Sequence, residues 1–215
     1  ADINGDSLVN VSAEERKKAL VDYALPKNIK KMQADMEKYK IFYDKWFFES
    51  ELHKSGAVKA VVDLLTEKGL TYEKEGAVWY KNKEVLTQKL LKEGKSQKYI
   101  DNLELKDDVL IRQNGNPTYF TADIAYHKNK FDRGFTTLID VWGADHHGHV
   151  MRMKGAMDAI GYDGDKLNVV LMQLVKLVKD GELVKMSKRT GKAIQLGDLL
   201  DEVPVDSARF LFNTK

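Results

Sequence analysis

Four cations crowd one short stretch of the chain, Lys185, Lys188, Arg189 and Lys192, with the hydroxyls of Ser187 and Thr190 between them. Asp180-Gly181 ahead of them is a hairpin signal and Gly191 follows Thr190, so the cations ride on a turn-bounded loop. Ammonium and guanidinium groups at this density suit a polyphosphate or a nucleic-acid backbone, and a solvated basic turn is the plain alternative. A second set is Tyr119 and Asp123 in the run Pro117-Thr118-Tyr119-Phe120-Thr121-Ala122-Asp123. Asp123 is expected in the first turn of a helix, where the dipole favours a carboxylate and simple capping accounts for it. A third is Asp145, His146, His147 and His149. Imidazole and carboxylate suit zinc or manganese, but helix neighbours one or two apart point to different faces, so at most two can share an ion. Structural or surface histidines are the expectation there, with no metal site. Glu49 closes an aromatic run and reads equally as a surface carboxylate beside a turn.

These residues need elements to hold them. Ser12-Ala13-Glu14-Glu15 is a capping box ahead of a helix to about Leu25. Pro26 marks a break, and a second helix is expected over 28–40, the pair forming a polar appendage. Residues 41–48 read as an aromatic strand ending at Glu49, 55–68 as a helix stopped by Gly69, and 70–80 as a hairpin turning at Glu75-Gly76. The lysine-rich 81–106 reads as a mobile helical insertion or a helix–loop–helix, its basic side chains forming a solvated face rather than a contact with RNA. Beyond it, 109–112 is a strand, Asn114-Gly115 a hairpin turn and 118–120 the returning strand, with a helix over about 121–131. Residues 137–142 and 169–172 read as buried strands flanking a helix from about His147 to Ile160. Strands alternating with helices predict an α/β fold with a parallel, doubly wound sheet, whose ligands bind where the strands end. We therefore divide the chain into a helical and hairpin insertion region, 1–106, and a doubly wound α/β region, 107–215.

Bulk composition limits the field. Apolar residues make up 43% and charged residues 32%, a globular rather than a disordered balance. The net charge is +2 from 35 basic and 33 acidic side chains, so any contact with RNA is a local patch rather than a global field. There is no Cys, which removes disulfides and thiolate chemistry. No apolar run approaches the ~18 residues that span a bilayer, and the first residues do not resemble a signal peptide. A start at Ala1 and an end in a helical pattern predict a piece of something longer.

Lys185-Met186-Ser187-Lys188-Arg189 resembles the signature loop of class I aminoacyl-tRNA synthetases, in the form common among arginine-specific enzymes. The run from Tyr119 through Phe212 is similar to that family almost throughout, residues 41–80 in outline, and 1–40 and 81–106 only weakly. The fold implied is the second half of a Rossmann-like catalytic domain. The activity implied is that of an arginine–tRNA ligase, cytoplasmic and monomeric when intact, using L-arginine, ATP with Mg²⁺ as a substrate complex, and tRNA(Arg), with no membrane involvement. On this resemblance Lys185 and Lys188 are catalytic cations on the phosphates, and Met186, Ser187 and Arg189 complete the ATP-binding loop. Tyr119, Asp123, Glu49, Asp145 and His146 line the arginine site, because a planar cation with five donors is best held by a carboxylate that accepts two parallel bonds. His146-His147-Gly148-His149 fits the family's His-x-Gly-His signature literally, but it stands too close ahead of Lys185 to be that motif. The genuine upstream motif is missing from these residues, which implies little or no activation of arginine by this chain alone. Two other classes remain: a non-catalytic nucleotide- or RNA-binding module, and a metal-dependent hydrolase using Asp145 and the histidines.

Overall fold

The computed structural model describes residues 5–173, 178–179, 181–183 and 195–214. Contacts divide the chain into two compact units, one of residues 1–46 with 175–215 and the other of 47–174.

In the first unit Ser12 and Glu15 form the expected reciprocal capping box, and α1 runs from Ala13 to Lys38. Pro26 does not break it; the helix carries the proline in its interior. A proline forfeits one backbone bond and crowds the turn before it, but long runs of Lys, Ala, Glu and Met on either side favour helix strongly enough to continue. None of its residues is buried. Its C-terminal end meets α8 (Leu196–Glu202) and α9 (Val205–Asn213) through Lys38–Asp201 at 2.5 Å and Lys40–Asp206 at 2.6 Å. Arg209 donates to the carbonyl of Tyr39 at 2.8 Å and lies against its ring. A short hairpin, β6 (Val178–Lys179) and β7 (Glu182–Leu183), turns at Gly181 with φ of 81°. Residues 41–46 are not in a strand, contrary to the aromatic signal.

The second unit holds the core. Residues 47–48 are likewise irregular, and Glu49 opens a helix, α2 (Glu49–Lys54), instead of ending a strand. Strand propensity reports fit to a half-buried pleated surface, and this run has no neighbouring strand to pair with among the described residues. Helix α3 (Ala57–Glu67) buries Val58, Val61 and Leu65, one face at helical spacing, and ends at Gly69 with φ of +70°. Strands β1 (Thr71–Lys74) and β2 (Ala77–Tyr80) form the expected hairpin, with Glu75 and Gly76 both at positive φ as a two-residue turn requires. Strand β3 (Asp108–Ile111) adds antiparallel to β2. Between them α4 (Asn82–Lys92) and α5 (Gln97–Asp101) occupy the insertion, and α4 buries Leu86 and Leu90 while packing on a later helix. This part of the insertion belongs to the core, although most of its lysines are solvated as expected.

Helix α6 (Tyr119–Asp132) begins two residues earlier than its sequence signals, so 118–120 is not a returning strand. A single bridge, Ile111 to Pro117, is all that pairs across the Asn114-Gly115 turn. The reason is local: Thr118 Oγ1 and Thr121 Oγ1 each donate at 2.7 Å to β3 carbonyls, of Val109 and Leu110. Those hydroxyls fasten the helix start directly to the sheet. Strand β4 (Leu138–Gly143) and β5 (Leu167–Met172) pair in parallel, joined by a short 3₁₀ turn and α7 (His147–Ile160). This is the βαβ unit expected, with one correction: the strands are buried on one face only. Leu138 and Leu167 enter the core, whereas Ile139, Val141, Val170 and Met172 stay exposed, since the helices cover a single side among the described residues.

Gly164, in the turn between α7 and β5, must be glycine for reasons of space. An added Cβ would sit 2.3 Å from the Lys154 carbonyl oxygen, which is backbone and cannot rotate aside. Gly155 instead meets the end of the Leu86 side chain at 2.6 Å, which can move. We expect Gly164→Ala to cost about 1–2 kcal/mol, and Gly155→Ala less, when thermal unfolding is followed by circular dichroism; equal melting temperatures would show that the turn yields freely.

Candidate active site

Tyr119, Asp123 and Tyr126 stand at i, i+4 and i+7 of α6, so they share one face. Phe120, Ile124 and Ala125 point the opposite way into the core, which leaves that face to line two clefts. Asp123 is the residue common to both. It sits beyond the first turn of the helix, since Tyr119 is the first helical residue, and capping therefore does not account for it.

The smaller cleft, ≈160 Å³, is lined by Phe47, Glu49, Leu52, Ala122, Asp123 and Tyr126. Two carboxylates from different helices thus meet one small space beside two rings, Phe47 and Tyr126, that stack on each other with centroids 4.7 Å apart. Leu52 is buried at 3% exposure and anchors α2, which places Glu49 three residues earlier at the mouth. Glu49 accepts from His53 at 3.3 Å, an exposed contact within the helix.

The larger cleft, ≈440 Å³, is lined by Tyr119, Asp123, Asp145, His146, His149 and Arg152, among others. Tyr119 is exposed there at 78%. Asp145 and His146 approach each other at 3.2 Å on the turn after β4, both mostly exposed. Gly143 lets Asp145 fold back, since a Cβ at 143 would come within 2.5 Å of its carboxylate. Arg152 brings a positive charge, but its guanidinium is committed to Asp108 in a two-pronged contact at 2.5 and 3.1 Å and lies over the Phe120 ring. Burial pushes the Asp108 carboxyl up, with Arg152 pulling in the opposite direction. Among the described residues Asp123 has no Lys or Arg partner, and its carboxylate meets only His149, at 3.2 Å. The clefts are accordingly walled by unspent negative charge, an arrangement that attracts a cation.

The structure therefore brings all five expected arginine-site residues to these clefts, with Glu49 on one side of Asp123 and Tyr119, Asp145 and His146 on the other. The loop residues Lys185, Met186, Ser187, Lys188 and Arg189 lie outside the described residues. The histidines diverge: His146 turns to Asp145, His149 turns to Asp123, and among the described residues no three ligand-type side chains converge as a metal would need. Two residues that build the clefts were not among the expected arginine-site residues, Tyr126 and His149, the latter read from sequence only as a structural or surface histidine. Their signal was periodic, since a helix opening at His147 puts His149 one helical step before the buried Met153, on the edge of the core face.

The sequence profile described as tRNA synthetases class I (R), catalytic domain, matches residues 16–215. The arginine–tRNA ligase of Caldanaerobacter subterraneus subsp. tengcongensis is 55% identical over 215 residues, which is all of this chain and 35% of that protein. That of Ruminiclostridium cellulolyticum is 52% identical over 99% of this chain and 35% of its own length. The chain thus spans about a third of these curated relatives. A solved structure from Campylobacter jejuni, a candidate arginyl-tRNA synthetase, superposes with a TM-score of 0.75 at 36% identity, covering 95% of this chain and 40% of that one. Thermus thermophilus arginyl-tRNA synthetase shares the fold, with a TM-score of 0.64 at 19% identity over 88% of this chain and 35% of its own. With nearly every residue from α1 onward inside that profile, the chain belongs to the class I tRNA synthetase (R) catalytic-domain family.

Proposed function

We propose that this chain is the arginine-selecting part of an arginine–tRNA ligase. The observation that carries the reading is the pair Glu49 and Asp123, lining one small cleft beside two stacked aromatic rings. A guanidinium is flat, always charged and equipped with donors on every edge, so two carboxylates beside an aromatic wall match it where an ammonium would leave one acceptor unused. In the proposed reaction the arginine carboxylate displaces pyrophosphate from the α-phosphate of Mg²⁺-bound ATP, and the terminal ribose hydroxyl of tRNA(Arg) then displaces AMP. Lys185 and Lys188 stabilise charge on the leaving phosphates, with Met186, Ser187 and Arg189 shaping that loop. Tyr119, Asp145 and His146 line the approach from the larger cleft. Catalysis on this reading is positioning and charge stabilisation without a covalent enzyme intermediate. The reading also takes the enzyme as cytoplasmic and monomeric.

Calorimetric titration with L-arginine, citrulline and lysine tests it. Citrulline keeps the shape of arginine and loses its charge, and lysine keeps the charge and loses the fork. Saturable binding of arginine, with citrulline and lysine each at least about tenfold weaker, is the expected result; citrulline binding as well as arginine removes the charge recognition on which the proposal stands.

A further inference from the structure

We infer that His149 is a positioning residue for the Asp123 carboxylate, fixing the plane in which that carboxylate meets a guanidinium. The inference rests on the proposed arginine site. Asp123's side chain is 47% exposed, so nothing in its own packing dictates its rotamer. The imidazole that touches it is held far more firmly. His149 has a side-chain exposure of 16% and lies between the Phe120 ring, 5.6 Å away edge-on, and the Trp142 ring at 5.2 Å. Its Nε2 stands 3.2 Å from Asp123 Oδ2, and a carboxylate oxygen can only accept, so Nε2 donates. The same residue is gripped at its backbone end: His127 Nδ1 donates to the Asp123 carbonyl at 2.7 Å. Trp142 lies against both imidazoles, at 6.2 Å from His127 and 5.2 Å from His149. One indole thus aligns two histidines that hold Asp123 from two sides.

The chemistry that follows concerns specificity. A two-pronged contact needs both carboxylate oxygens in the plane of the incoming fork, and a single donor on Oδ2 sets that plane while leaving Oδ1 open. A carboxylate ordered beforehand binds better because less rotamer freedom is lost on binding, an effect of about three- to tenfold in affinity for one side chain. Because an uncharged imidazole suffices as donor, the full negative charge of Asp123 stays available to the substrate.

His149→Phe keeps a ring between Phe120 and Trp142 and removes the donor, whereas His149→Gln keeps an N–H donor. Arginine affinity is expected to fall about three- to tenfold in His149→Phe and to recover in His149→Gln, with citrulline affinity and melting temperature unmoved in both. An unchanged arginine affinity in His149→Phe, with the wild type still preferring arginine to citrulline, overturns the inference and leaves the arginine site standing. A wild type that does not discriminate overturns the arginine site itself. The contact is then read directly by NMR: the His149 Nε2–H proton is expected to be protected from solvent exchange in the wild type and lost in Asp123→Ala, which leaves no acceptor at that position. Equal protection in the two proteins overturns the pairing whatever arginine does.

Discussion

Asp123→Asn is expected to weaken L-arginine binding by about 2–3 kcal/mol, roughly 30- to 150-fold, while leaving citrulline within about twofold of its wild-type affinity. The magnitude follows from the surroundings. Full burial of a charged pair would put the loss of one partner nearer 5 kcal/mol, but the carboxylate is half exposed and water screens part of the interaction. Asparagine has nearly the same shape, so the backbone bond from His127 to residue 123 survives and the helix has no reason to move. What changes is one negative charge and one acceptor oxygen, which becomes a donor facing the donors of a guanidinium. Asp145→Asn makes the matching control, because Asp145 is 67% exposed and flanks the larger cleft only. Its effect should stay under about tenfold. Parallel calorimetric titrations of both variants check the ranking; equal losses for arginine and citrulline in Asp123→Asn mean distortion of the site rather than loss of charge recognition.

The candidate site was more legible in the sequence than the elements that carry it. Tyr119, Asp123, Glu49, Asp145 and His146 all line the two clefts, yet Asp123 was expected at a helix start and Glu49 at a strand end. Both errors have one source. Propensity saw aromatic residues at 41–48 and a Thr-Tyr-Phe run at 118–120 as strands, whereas tertiary contacts decided otherwise. Thr118 and Thr121 spend their hydroxyls on β3 carbonyls and so convert a would-be strand into the start of α6. Signals that depend only on local backbone geometry held. Glu75-Gly76 turns its hairpin, Gly69 ends its helix, and α7 opens at His147 as its turn predicts. Pro26 was misjudged because a proline's cost is local while the preference of the flanking residues for helix is summed over several turns.

The exposed face of β4 and β5 shows the limit of periodicity in another way. Thr137-Leu138-Ile139-Asp140-Val141-Trp142 reads as a continuous buried strand, but Asp140, a charge, is one of its two buried members and Ile139 and Val141 are exposed. No hydrophobic count anticipates a carboxylate pointing inward. Its explanation lies on another element, where His127 and Lys130, three residues apart on α6, both bond to it.

That buried cluster is expected to carry a large stability effect in the second unit. Asp140 is 8% exposed, with Oδ2 2.5 Å from His127 Nε2 and Oδ1 2.6 Å from Lys130 Nζ. His127 Nδ1 also bonds the Asp123 carbonyl, so both ring nitrogens are used. Burial alone would raise the Asp140 carboxyl; the hydrogen bonds and charges of His127 and Lys130 outweigh it and hold the group below its ordinary value. Asp140→Asn removes the anion and leaves His127 and Lys130 facing an uncharged amide, for which the expected cost is about 3–5 kcal/mol. Because the folded carboxyl titrates below the unfolded one, its contribution is complete above the ordinary aspartate range near pH ~4 and disappears as pH falls through the lower folded value. Urea unfolding of wild type and Asp140→Asn should therefore differ fully at pH 7 and converge as the pH falls through the lowered folded value, as the wild type loses the same interaction by protonation. The cluster also ties α6, which bears Asp123, to β4, which leads into Asp145 and His146. Asp140→Asn should accordingly weaken arginine binding even at a urea concentration where it remains folded. A variant as stable as the wild type at pH 7, or a difference that persists undiminished in acid, would show that the Asp140 charge is not what holds the cluster together.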